Sequence, residues 1–344
     1  VLLRRVSDNR GLTRPELAVL VSLSKLSLQD AAERLKLADE PLLHEQLLAA
    51  FPKPMQEAQS DAILAHRLRH EILATKVANR IVNRLGPSVA LDLTEEEGAS
   101  LGQVVIAFLV AERLLQLDKL WERIEAAEVS EQVRLELFAL AGQSARSHLG
   151  DILRAGGGET SVSKLVALFE PGLAKVNAAA RGLIRDEVRA EATSRRERLE
   201  ALGASAEITG GLVKLYELDG VFGVAGLAAR KELDELAVTR AYIRLGEALG
   251  LDWAQGQIAR FRPADAWERL LVAGLARDME QLRLDWLSRS RGEDVEAAVE
   301  RWAERHAERI KQFRQLVARA RLTGSPTVPM LAQVANQARI LLSR

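Results

Sequence analysis

His66–Leu85 reads HRLRHEILATKVANRIVNRL, entered through Ser60-Asp61 and stopped by Gly86-Pro87. Ile63, Leu64, Leu68, Ile72, Leu73, Val77, Ile81, Val82 and Leu85 recur at three- and four-residue steps, which predicts one apolar stripe along a helix. His66, Arg67, Arg69, His70, Lys76, Asn79, Arg80, Asn83 and Arg84 fall on the opposite face. Gly86 suits a left-handed cap and Pro87 blocks further helix. A helix of this kind supports a core and carries no obvious reaction chemistry, so the first expectation is a scaffold. On that reading a charge at Ile72 unfolds the domain, whereas Arg69→Ala leaves stability nearly unchanged.

Composition bounds the rest. The 344 residues suffice for one large or two ordinary domains, 48% of them are hydrophobic, and aromatics are only 4%, so the core is aliphatic. Leu, Ala, Arg and Glu dominate, as expected of a helical chain. Forty-eight basic against forty-eight acidic residues leave no net charge, which disfavours a nucleic-acid partner. The absence of cysteine rules out disulfides and thiolate metal sites and fits a cytoplasmic location. Val1-Leu2-Leu3 precedes Arg4-Arg5, the reverse of a secretion signal, and the longest apolar run, Val104–Ala111, is far below the roughly 20 residues of a membrane helix. No membrane partner is expected. The opening valine suggests a fragment of something longer.

Thr13, Pro15 and Glu16 form a helix-start signature, with Leu17, Leu20, Val21, Leu23 and Leu28 continuing the apolar pattern. The prolines of Phe51–Pro54 predict extended chain, and Ser88–Leu93 reads as a short strand or extended linker. Gly156-Gly157-Gly158 is the natural boundary between a lobe at 1–154, a linker at 155–160 and a lobe at 161–344. Gly210–Gly226 is the least regular stretch. No 33- to 47-residue repeat is evident, which disfavours a solenoid. The expected fold class is all-α, multi-helix and two-lobed, with no substantial sheet.

Chemistry-bearing patterns are sparse. His66 and His70 have the spacing of two zinc ligands, but Arg67 stands where a zinc protease has glutamate. Gly220, Gly223 and Gly226 recur every third residue, unlike a dinucleotide fingerprint, and suit close helix packing better. No triad or nucleophile signature surrounds any histidine. Bases from Arg309 to Arg321 suit the helix C-terminus better than a phosphate patch. No catalytic, cofactor-binding or metal-binding residue is assigned. Arg67, Arg69 and Arg80 remain as interface candidates, should their face prove buried against a partner.

Gly11–Leu20 (GLTRPELAVL), Phe51–Pro54 (FPKP) and His66–Leu85, in that order, resemble the C-terminal helical region of the large NAD-specific glutamate dehydrogenases of bacteria. Looser similarity continues through Leu117–Ile124, Val238–Trp253, Trp267–Leu287 and Ser325–Leu341. Relatives often carry tyrosine where this chain has Leu23 and Ala50, positions to which the resemblance carries over no catalytic role. The resemblance implies a parent enzyme that oxidatively deaminates L-glutamate with NAD, whose catalytic and nucleotide-binding domains lie upstream. It implies no cofactor in this chain itself, a partner in the upstream catalytic domain, and a homo-oligomer. The alternative is a stand-alone helical adaptor or oligomerisation module with a different protein partner.

Overall fold

Thr13 opens the first described helix as expected: the Glu16 carboxylate accepts hydrogen bonds from the Thr13 amide and hydroxyl, each at 2.7 Å, and Pro15 stands where no amide partner is needed. The computed structural model describes residues 11–183, 186–289 and 294–343, with the side chains of 180–191 and 259 left aside. The Val1–Arg5 reading lies outside the described residues. Among the described residues there are nineteen α-helices and no strand, so the chain is all-α. It divides into two compact units, Val1–Ala167 with Leu199–Leu215, and Leu168–Arg198 with Tyr216–Arg344.

In the first unit α1 (Arg14–Arg34) is followed by three short helices, α2 (His44–Leu48), α3 (Lys53–Ala58) and α4 (Ser60–Leu64). Then come α5 (Arg69–Leu85), α6 (Val89–Glu97), α7 (Leu101–Leu115), α8 (Leu117–Glu125) and α9 (Glu131–Ala155). Its centre is α7, in which every residue from Val104 to Ala111 is buried. A helix apolar all round must be enclosed on every side. Against it pack α1, α5, α6, α8 and α9, and Phe108 of α7 stacks on Trp121 of α8 with ring centroids 5.9 Å apart. The stripe that opened the sequence reading buries Leu73, Ala74, Val77, Ala78, Ile81 and Val82, while Ile72 is only half-buried and Leu68 is exposed. The helix is also shorter than its pattern, because α4 ends at Leu64 and a turn intervenes before Arg69.

Other expectations need correction. The Ser88–Leu93 segment belongs to α6, because Ala90 and Leu93 bury one helical face and Gly98, at φ 66°, ends it. Pro52 of the FPKP stretch is extended, but Lys53 and Pro54 open α3, in whose first turn proline is tolerated. Gly210–Gly226 is helical too, in α12 (Ala206–Glu217) and α13 (Val221–Lys231), which Gly220 separates at φ 78°.

The divisions between the units fall inside α10 (Val162–Leu183), α11 (Asp186–Ala201) and α12. Gly157 and Gly158 are left-handed and make a tight turn within the first unit. Glu40 pins that turn from across the sequence: its carboxylate accepts from Ser161 Oγ at 2.7 Å, Ser163 N at 3.3 Å and the Ser163 hydroxyl. An acid on the opening amides of α10 also suits the helix dipole.

The second unit contains α13, α14 (Glu235–Leu249), α15 (Leu251–Arg260), α16 (Ala266–Ser288), α17 (Val295–Arg305), α18 (Ala307–Leu322) and α19 (Val328–Leu342). Its core is built from α14, with Val238, Ala241, Leu245 and Leu249 wholly buried, and from α16 and α19. Trp286 and Trp302 meet edge to face at 5.5 Å. No single helix among the described residues is long and apolar enough to cross a membrane.

Candidate interaction surfaces and buried polar clusters

The polar face of α5 is partly turned inward. Arg80 donates to Gln46 Oε1 at 2.7 Å and lies 2.9 Å from Glu112, an acid buried directly after the apolar run Val104–Ala111 of α7. Burial pushes the Glu112 carboxyl up to about 7 from 4.5, outweighing the opposing pull of Arg80. Lys76 donates to the Gln46 carbonyl at 3.4 Å; burial, then Arg80, lowers its pKa. Arg84 pairs with Glu125 at 2.7 Å and covers the rings of Trp121 and Phe138.

Of the three interface candidates, Arg80 is thus committed to an internal pair and Arg69 reaches Asp39 at 3.3 Å. Arg67 is exposed and makes no ion pair among the described residues. The structure does not bring the three together around one partner group. His66 and His70 are separated by the turn that precedes α5; His66 Nδ1 accepts from the Leu68 amide at 3.1 Å, and His70 Nε2 lies 3.6 Å from Asp39. Among the described residues no group of three or more His, Cys, Asp or Glu is arranged to hold a metal.

Two further clusters escaped the sequence reading. Between α6 and α9, Arg146 reaches both oxygens of Glu96 at 2.5 and 2.6 Å, and Arg154 reaches Glu97 at 2.6 Å and Asp151 at 2.5 Å. Gly150 makes room for this pairing, since a Cβ there would stand 3.1 Å from an Arg154 nitrogen. The available signal was the acidic triplet Glu95–Glu97 opposite arginines eight residues apart. In the second unit, Arg283 is 1% exposed, donates to Gln255 at 2.6 Å and stacks its guanidinium 3.9 Å from the centre of the Tyr242 ring. Asp252 lies 3.5 Å from it. A buried charge satisfied on several sides is tolerable; left unpaired it is not.

The glycines of α13 belong to this packing. A Cβ on Gly223 would come within 2.6 Å of both Glu280 Oε1 and Leu284 Cδ1. Gly223 and Gly226 are buried, α12 rather than a strand precedes them, and an acid fills the space beside Gly223. That arrangement does not fit a dinucleotide pyrophosphate, which needs free amides and no carboxylate. A shallow groove of about 620 Å³ runs along α14, α17 and α18, with Ala248, Ala303 and Ala307 on its walls and Lys311 and Arg314 exposed at its rim.

Several large apolar side chains face outward. Trp267 is 82% exposed in the first turn of α16. On α1, Leu17, Val19, Leu23 and Leu26 are 46%, 52%, 53% and 60% exposed.

Paired buried charges, aliphatic helix packing and exposed apolar helix faces place the molecule among all-α helical modules. More specifically, the chain belongs to the family described as glutamate dehydrogenase, C-terminal, whose model matches residues 9–339. It is 28% identical over 351 residues to the NAD-specific glutamate dehydrogenase of Pseudomonas aeruginosa, a match covering 98% of this chain and 21% of that protein. The NAD-specific glutamate dehydrogenase of Halomonas elongata is 26% identical, covering 92% and 20%, and that of Mycobacterium tuberculosis is 24% identical, covering 98% and 21%. The chain therefore spans about a fifth of the length of the curated relatives it matches.

Proposed function

We propose that this chain is the non-catalytic C-terminal scaffold of an NAD-dependent glutamate dehydrogenase. The parent reaction converts L-glutamate, NAD and water to 2-oxoglutarate, ammonia and NADH. The catalytic part of the same polypeptide binds NAD and substrate, and this region braces it, supports the oligomer or limits domain opening. The parent acts in the cytoplasm.

The observation that carries the reading is the match along almost the whole chain to a region making up about a fifth of each relative. The inward pairing of Glu112, Glu96, Glu97 and Arg283 supports it, because these charges are occupied in holding helices together. Purified chain incubated with glutamate and NAD is expected to give no rise in NADH absorbance, while the complete enzyme does. Turnover by the chain alone overturns the proposal.

A further inference from the structure

Helix α1 is apolar on two opposite sides. Leu28 and Ala32 are buried where it packs along α5 and α7. Val19, Leu23 and Leu26 step by four and three residues, which lines them up on the reverse side, since Leu26 and Leu28 are two residues apart and point about 200° from each other. Exposed Ala18 and Ser22 flank that stripe without charge, and it ends one turn after Leu26 at Asp30, which pairs with Arg34 at 2.7 Å. An exposed run of aliphatic side chains on a rigid, capped helix marks a contact surface.

We propose that this outer face of α1 seats the part of the glutamate dehydrogenase polypeptide that precedes the C-terminal region. The inference rests on the scaffold reading and assigns it a surface. Roughly four-fifths of each relative lies outside the matched region, so a large body of protein is there to cover the face. The matched family region is described as C-terminal and starts at residue 9, five positions before α1 begins at Arg14, so in sequence α1 lies close to what precedes that region in the relatives. The occupant is an aliphatic surface rather than a charged one, because Val19, Leu23 and Leu26 offer it neither ions nor hydrogen bonds. Arg67, Arg69 and Arg80 are not needed for it.

The chain contains no cysteine, so Leu23→Cys introduces a single thiol into it. Its rate of modification by a maleimide is measured in the isolated chain and, by peptide mass mapping, in the complete enzyme; urea-unfolded samples give the unhindered rate. The expected result is rapid labelling in the isolated chain and labelling at least about tenfold slower in the complete enzyme. Rapid labelling in both, with hydrogen exchange in the complete enzyme slowed on other helices of this region, overturns the surface and leaves the scaffold reading standing. Rapid labelling in both with no slowed exchange anywhere overturns both. Slow labelling already in the isolated chain also overturns the proposal, and its relief on dilution identifies a second copy as the occupant.

Discussion

At Glu112, burial and a neighbouring arginine pull one carboxyl in opposite directions, and burial wins. The folded value of about 7 lies above the ordinary 4.5. Between those pH values the folded chain holds a proton that the unfolded chain has released. The stabilisation from this group is therefore fully present below pH 4.5 and is lost as pH rises to about 7, a span worth on the order of 3 kcal/mol. Glu112→Gln cannot ionise. The stability advantage of the natural chain over this variant should shrink by about 2 kcal/mol between pH 5 and pH 8, measured by urea denaturation. Parallel pH profiles would contradict the assignment. Part of this site was legible: Glu112 ends a long apolar run, and an acid there calls for a cation. Periodicity put Arg80 on the polar face of its helix but could not show that another helix buries that part of the face.

For whole helices, the sequence was a good guide to existence and a poorer one to orientation. The repeated leucines and valines of α5 announced a buried face, yet the buried centre falls on Leu73, Val77 and Ile81, with Ala74 and Ala78 beside them. Alanine is ambiguous in a sequence, and here it marks close packing. Leu73→Asp should abolish cooperative folding, a loss of several kcal/mol, whereas Ile72→Asp should leave a folded chain with a lowered melting temperature. Equal effects would mean that the helix is rotated from its described position. Gly172 shows a second limit of local patterns. In the second unit a Cβ there would stand 2.8 Å from Ala225 Cβ and 3.3 Å from its Cα, so α10 and α13 approach through the missing side chain. Gly172→Ala should destabilise by about 1–3 kcal/mol despite its better helix propensity. In a double-mutant cycle with Ala225→Gly, the two changes should couple by about 1 kcal/mol or more. Additive effects would separate the helices. Ser88–Leu93 was misread for a related reason: six residues following a proline hold too little periodicity to distinguish a short helix from an extended segment.

Across the whole molecule, helical composition and helical periodicity pointed to an all-α chain, and that is its fold class. Three consecutive glycines suggest a flexible joint, but Glu40 caps the helix after them from over a hundred residues away, and no local pattern announces such a bond. The exposed face of α1 was legible only as apolar residues; which of them lie outside could not be told without the packing. These features support the proposal that this region braces chemistry done elsewhere in a parent enzyme. The most direct test is the steady-state rate of NADH formation by the parent enzyme shortened by this region, before and after adding the separately purified chain. The proposed bracing role predicts a lowered rate or a rapidly decaying one, recovered on addition. An undiminished, durable rate without the chain would contradict it.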